Sequence, residues 1–209
     1  MSSDGFLRRA MLWGLLTMGA LPCGAQSLRM LADNSLAAPM AMYGGADRAT
    51  LSAGIVKDFG TALAAELGLA IQFKPVPTLR TGLLLAAGEA DLLCFYSPVW
   101  LAEPEALTAR RFQWTSTLVE DKDVLIQPRG AAAARSLAAL EGQRIGAIRG
   151  YVYPELQRLV DAGRLLRDDT HTIESNLAKL RAGRLYGAIV NEVNFRYLNK
   201  TEPALTAAL

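Results

Sequence analysis

Cysteine and histidine are almost missing from this chain. Among 209 residues there are two cysteines, Cys23 and Cys94, and one histidine, His171. That scarcity excludes a Cys/His metal cluster, and neither a Ser-His-Asp order nor a phosphate-cradling glycine loop of the Walker type is present. His171 lies among Asp169, Thr170 and Thr172, a polar setting that points to capping or plain exposure rather than catalysis. An excess of one charge is lacking too. The 22 basic residues nearly balance the 20 acidic ones and are scattered, so no patch invites nucleic acid or an anionic membrane. No apolar run reaches the roughly 20 residues that a membrane-spanning helix needs. No cofactor and no metal are expected.

What is present begins with an export signal, expected over residues 1–25. Arg8 and Arg9 form its positive region, residues 10–21 its uncharged apolar stretch, and Cys23-Gly24-Ala25 a small-residue site for cleavage before Gln26. General export fits better than the twin-arginine route, which would rest on the one adjacent pair, or than lipidation of Cys23, which follows Pro22. Cleavage leaves Cys94 as the only cysteine, so an intramolecular disulfide is excluded. Its apolar neighbours make it a buried structural thiol.

The segment 54–91 organises the rest. Ile55, Phe59, Leu63 and Leu67 recur at helical spacing, which predicts one buried face, and Gly68 supplies a left-handed cap. A strand over 70–73, a helix over 78–87 ending at Gly88 and a strand over 90–95 follow. This β/α alternation predicts a mostly parallel sheet flanked by helices. The second unit has an echo: with Gly88 set on Gly183, LLLAAGEADLLCFY lies over AKLRAGRLYGAIVN. Two similar lobes are therefore expected, each ending strands in polar groups, with a ligand held in the cleft between them.

Taken in order, 28–32 is the first strand, with Asp33-Asn34-Ser35 at its carboxyl end. Residues 37–50 have no period and read as a loop over the cleft carrying Tyr43. Tyr96, Ser97 and Trp100 follow the third strand. A long strand is expected over 118–127 and a linker over 128–135. The second lobe then has a short helix at 137–140, a strand at 144–148, the turn Arg149-Gly150-Tyr151, a helix with Pro154 in its first turn, and a strand beginning at 165–166. The helix before Gly183 is expected to bury Leu177 and Leu180, and the last strand ends at Asn191 and Glu192. The expected domains are lobe 1 over 26–120, lobe 2 over 121–191 and a segment over 192–209 returning toward lobe 1. Gly150 at a strand-to-helix turn lets backbone approach a ligand, and free N–H groups there would favour an anion.

Several stretches carry a family resemblance. They are LRMLAD (28–33), GIVKDF (54–59), FQWTS (112–116), LEGQRIGAIRG (140–150) and the segment from Ala182-Gly183-Arg184 to Asn191-Glu192. In order and spacing they resemble the bacterial periplasmic solute-binding proteins of the amino-acid-binding type (solute-binding family 3, type II fold). The resemblance implies a two-lobed α/β fold and a non-catalytic, monomeric periplasmic protein. It would capture a small polar, anionic organic solute and deliver it to an inner-membrane ABC permease. The alternatives on the same scaffold are a dehydratase-like enzyme, with Glu192 its one acid–base candidate, or a ligand-sensing domain. The implied ligand residues are Asp33, Asn34, Tyr43, Tyr96, Ser97, Trp100, Arg149, Gly150, Tyr151, Asn191 and Glu192. This chain departs from the family pattern in three places. Tyr151 replaces a Ser or Thr, Asn191 replaces an Asp that meets an α-amino group, and the T-x-x-R whose Arg grips an α-carboxylate has no match in 97–105. An ordinary α-amino acid is thereby disfavoured as ligand. Family members also continue beyond the segment matching Asn191, which leaves two readings of 192–209: a truncated product or an unusually small first lobe.

Overall fold

The structure, a computed structural model, describes residues 27–100 and 113–209. The export signal expected over 1–25, and Phe112 of the FQWTS stretch, lie outside the described residues. Strand β1 (Ser27–Asp33) is the centre of the first sheet. It pairs in parallel with β4 (Ala70–Val76) on one side and β5 (Leu92–Leu93) on the other. Its Met30-Leu31-Ala32 run is apolar on both faces because both are covered there, and all three are buried. Each such large side chain contributes about 1.5–3 kcal/mol of burial.

Helix α1 (Ile55–Leu67) connects β1 to β4 by way of a hairpin, and α2 (Thr78–Ala86) connects β4 to β5. Gly68 takes the left-handed cap at φ 65°, as its place after the helix predicts. The buried face of α1 differs from the expected one. Ile55 and Leu67 are 40% and 55% exposed, while Val56, Gly60 and Ala64 are buried. The cause is the closeness of the sheet: a Cβ on Gly60 would lie 2.7–2.9 Å from Met30, Phe73 and Ile71. Small residues let the helix sit that near; Ile55 and Leu67 are turned outward, and Phe59 packs at the edge of the core against Phe95.

Residues 37–50 also differ from expectation. They contain β2 (Met42–Gly44), which forms an antiparallel hairpin with β3 (Thr50–Ala53). Asp47 and Arg48 stand at φ 57° and 54° in the turn between them, a conformation that leaves no periodic signature. The strand expected over 90–95 pairs only at Leu92–Leu93.

The second sheet has the order β6-β9-β7-β8. Strands β7 (Arg144–Ile148), β8 (Leu166–Thr170) and β9 (Gly187–Asn191) are parallel, and β6 (Asp123–Ile126) runs antiparallel to β9. The long strand expected over 118–127 is thus shortened, and Leu118 and Val119 are exposed. Helix α3 (Pro154–Asp161) links β7 to β8 with proline in its first turn, and α4 (Ile173–Arg181) links β8 to β9. The hydroxyl of Thr172 caps α4 by accepting from Ser175 N–H at 3.2 Å.

The echo in the sequence is an architectural repeat. In each lobe the first strand is central, the second and third flank it, and two helices connect them. Gly88 and Gly183 end equivalent helices at φ 72° and 67°. Helices α5 (Glu192–Thr201) and α6 (Pro203–Thr206) close the chain. Expected to return to the first lobe, they pack on the second instead. Leu198, Leu205 and Leu209 join Leu177 and Leu180 in its core, and Ala208 C=O accepts from Arg129 N–H at 2.9 Å. Apolar residues at this helical spacing need a covered face, and α4 supplies the nearest one. Among the described residues no helix is long and apolar enough to cross a membrane.

Candidate functional site

Asp33, the last residue of β1, is 1% exposed at the junction of the lobes. Its Oδ1 accepts from Ser35 N–H (2.9 Å), Ser35 Oγ–H (2.6 Å) and Thr78 Oγ1–H (2.9 Å), and its Oδ2 from the Tyr96 hydroxyl (2.5 Å). Every partner is a neutral donor. Four such bonds satisfy the carboxylate oxygens and make the burial tolerable without a cation. The Tyr43 hydroxyl donates to the Asp33 carbonyl at 2.6 Å, and Arg48 lies over the Tyr43 ring at 4.7 Å. Burial pushes the phenols of Tyr43, Tyr96 and Tyr151 above their ordinary range, and the charge of Asp33 adds to each shift. All three therefore remain donors at neutral pH.

The knot reaches the second lobe through Ser35, whose Oγ lies 3.2 Å from the Tyr151 hydroxyl. Ser35 Oγ–H is the donor in that contact and shares its one proton with Asp33 Oδ1. Two further contacts tie the lobes. Asn194 Nδ2, on α5, donates to the carbonyls of Ala37 (3.0 Å) and Ala38 (2.8 Å), and Ala37 is buried in the second-lobe core. Gly150, at φ +84°, abuts the first turn of α2: a Cβ there would lie 3.3 Å from Leu79 and Thr78.

Beside these ties a half-open pocket of about 300 Å³, mouth included, lies between the lobes. Ser35 and Ala37 come to it from the first lobe, and Asp123, Tyr151, Asn191 and Asn194 are among its second-lobe walls. Most of that volume is open to solvent, and its enclosed part has room for about one water, so a solute would need the lobes to part further. Asp123 has no hydrogen bond or ion pair on its carboxylate among the described residues. Asp123 is exposed by surface area, so the upward push on its pKa from partial desolvation, then from Asp121 and Glu155, is screened by solvent. Among the described residues no group of three His, Cys, Asp or Glu is placed to hold a metal.

The residues expected at the cleft divide accordingly. Asp33, Tyr43 and Tyr96 gather in the first-lobe knot, and Trp100 stacks edge-on against Tyr96 at 6.0 Å while remaining 41% exposed. Tyr151 and Asn191 line the pocket, and Tyr96 is not among its walls. The amide of Asn191 is also engaged. Its Oδ1 caps α5 at Asn194 N–H (3.2 Å), and its Nδ2 donates to Asp121. Asn34 takes part through its backbone, its N–H on Val76 C=O and its own C=O accepting from Arg48 Nε–H. Ser97 C=O accepts from Trp100 N–H at 3.0 Å.

The Arg149-Gly150-Tyr151 turn differs most from expectation. Arg149 is exposed and is not a wall of the pocket. The N–H that follows Gly150, on Tyr151, donates to Ile148 C=O at 3.1 Å and closes the turn. Helix α3 begins only at Pro154, so its N-terminus is displaced from Gly150. Glu192 pairs with Arg196 (2.6 Å) and Lys122 (3.7 Å), the solvated helix start that its position implies. Ser35, Thr78, Asp123, Tyr153 and Asn194 were not singled out by the sequence. Asp33-x-Ser35 is the spacing of an Asx turn and Asn191-x-x-Asn194 that of a cap, and both were available as local signals. Asp123 had none.

No family model and no curated protein matches the sequence. Solved structures do match its shape. An ancestral arginine-binding protein bound to arginine superposes with a TM-score of 0.68 at 17% identity, over 86% of this chain and 76% of that one. A histidine kinase sensor domain with similarity to periplasmic binding proteins gives 0.68 at 19%, over 87% and 74%. An ancestral amino-acid-binding protein, a precursor of cyclohexadienyl dehydratase, gives 0.64 at 15%, over 83% and 74%. With the repeated lobes and the pocket between them, these likenesses establish that the chain has the two-lobed type II fold of the periplasmic binding proteins.

Proposed function

We propose that this chain is an exported, non-catalytic solute-binding protein that captures one small polar organic molecule between its lobes for an inner-membrane ABC permease. The observation that carries the reading is a pocket walled from both lobes, at the carboxyl ends of β1 and β9, in a fold shared with solute binders. A solute touching Ser35 and Asn191 together would bind the closed arrangement better than a separated one, which is the energetic basis for capture.

The charge of the solute is read from the wall. The anion expected from the Arg149-Gly150-Tyr151 turn has little support once the Tyr151 N–H is engaged and Arg149 faces solvent. Asp123 is the ionisable group on the pocket wall without a partner, and Tyr151 and Asn191 add neutral polar contacts. A solute with a cationic group, such as an organic ammonium, is the better complement. Catalysis would need a tuned acid or base free to act. Glu192, the candidate the sequence offered, is held in ion pairs. Asp123 is the one carboxyl on the pocket wall that meets that condition, so the enzyme reading turns on whether a product is recovered.

The test is a thermal-shift panel of small ammonium, carboxylate and zwitterionic compounds on the chain purified from a periplasmic extract. Calorimetry and mass spectrometry of the recovered compound follow. Stabilisation by ammonium compounds, recovered unchanged and weakened about tenfold by Asp123→Asn, is the expected result. Stabilisation by carboxylates alone would overturn the cationic reading, and a recovered product would establish an enzyme. Amino-terminal sequencing of the same material should begin at or near Gln26; an intact Met1 would refute export with cleavage.

A further inference from the structure

Two fixed anchors meet across the junction at Ser35 and Tyr151. Ser35 is set by the buried Asp33 carboxylate, which accepts from both its N–H (2.9 Å) and its Oγ–H (2.6 Å). Thr78 Oγ1 lies 2.9 Å from the Ser35 oxygen and donates to the same carboxylate. Ser35 thus stands as a post on the first lobe.

Tyr151 is fixed as firmly on the second. Its N–H donates to Ile148 C=O at 3.1 Å, and its own carbonyl accepts from Arg167 Nη2 at 2.8 Å. That guanidinium also donates to Ile148 C=O at 3.0 Å and pairs with Asp169 at 2.7 Å. The Tyr151 ring lies beside that of Tyr153 at 6.3 Å and packs partly against both clusters of the second-lobe core. Its hydroxyl meets the post at 3.2 Å.

Ser35 and Tyr151 both wall the interlobe pocket, whose enclosed part has room for about one water. Their contact and an organic solute therefore exclude each other. Any molecule larger than water needs these walls apart, and parting them breaks the bond.

We propose that the Ser35–Tyr151 contact is an autoinhibitory latch: the protein's own side chains join the lobes across the pocket, and a solute competes with them for the cleft. The inference goes beyond the proposed function and is independent of the solute's charge. Apparent affinity for any solute scales with the fraction of molecules that are unlatched, so the latch raises the solute concentration needed for capture.

Spin labels on Leu67→Cys and Leu166→Cys, read by pulsed electron paramagnetic resonance, measure lobe separation in a full chain carrying Cys23→Ser and Cys94→Ala. One label sits on each lobe, at positions 55% and 49% exposed. Tyr151→Phe keeps the ring and removes only the hydroxyl. It should raise the ratio of separated to joined lobes about two- to twelvefold, the range for one hydrogen bond. Ser35→Ala should raise the ratio too, and the double variant should fall short of the product of the two, because both changes remove the same bond. Asn194→Ala, which removes the other hydrogen-bonded tie, brings a strongly joined chain into measurable range, and the set is repeated on it. An unchanged ratio for Tyr151→Phe in both backgrounds overturns the latch. Full independence of the two substitutions overturns it as well, because the effect of Ser35→Ala then belongs to the Asp33 knot alone.

Discussion

The side-chain amide of Asn194 donates to the carbonyl of Ala37 at 3.0 Å, across the junction of the two lobes. Ala37 belongs by sequence to the first lobe, yet it is 8% exposed within the hydrophobic core of the second. The segment after β1 therefore acts as a strap. Any opening of the cleft must withdraw Ala37 from that core or move the strap together with the second lobe.

Asn194 is itself 5% exposed, and its substitution should show what the strap contributes. Asn194→Ala removes the donor to Ala38 C=O and one of two donors to Ala37 C=O, the other being Ala41 N–H. The carbonyl left unpaired is that of half-buried Ala38, and the loss of such a bond costs about 0.5–1.5 kcal/mol. Urea unfolding should show a midpoint lowered accordingly with an unchanged slope. Small-angle scattering should show a larger radius of gyration if the strap also restrains opening. Unchanged stability and size would mean that water replaces the amide freely.

Gly60→Ala sets two effects against each other. Alanine improves helix propensity by about 1 kcal/mol. Its methyl would, however, lie 2.7 Å from the Met30 sulfur and 2.8 Å from the Phe73 ring, and overpacking costs about 1–3 kcal/mol. The clash should win, giving a variant less stable by about 1 kcal/mol in chemical denaturation. A stabilised variant would show that α1 can lift from the sheet at little cost.

Gly150→Ala and Gly183→Ala separate backbone strain from lobe contact. Both glycines have positive φ, at +84° and +67°, which costs alanine about 1–2 kcal/mol. Nothing lies within 4 Å of a Cβ at Gly183, whereas one at Gly150 meets Leu79 and Thr78 of the other lobe at 3.3 Å. Gly150→Ala should therefore lose more stability than Gly183→Ala and alone expand the molecule in scattering. Equal losses without expansion would count against a close lobe contact at Gly150.

Alkaline pH should destabilise the protein in a defined window. Burial pushes the Cys94 thiol up to about 11 from an ordinary 9.0. Between these values the unfolded chain releases the proton and the folded one keeps it, so stability falls as pH rises. The buried tyrosines Tyr43, Tyr96 and Tyr151 act in the same direction above their ordinary 10.0. Cys94→Ala should flatten the loss between about pH 9 and 10 and leave the steeper loss above it. Thermal unfolding across pH 8–11 measures both. A wild-type curve that is flat from pH 9 to 11 would contradict the burial of these groups.

The β/α alternation, strand β7, the left-handed caps at Gly68, Gly88 and Gly183 and the repeat of two lobes were legible in the sequence. Each depends on period or punctuation within about a dozen residues, and steric limits on backbone and helix ends act at that range. The burial of Leu177, Leu180 and Cys94 was legible for the same reason.

What only the tertiary structure decided depends on distance between elements. The four-residue recurrence of Ile55, Phe59, Leu63 and Leu67 named a face of α1, but proximity to Met30 and Phe73 selected the Val56–Gly60–Ala64 face, where small size outweighs hydrophobicity. Asp33 and Tyr96 were both legible as polar strand ends; that they bond to each other is set by how the sheet places β5's end beside β1's. Asn194 and Ala37 are 157 residues apart. No local pattern encodes such a pair, because its geometry exists only when both sheets have formed and their covered faces bring the chain segments together.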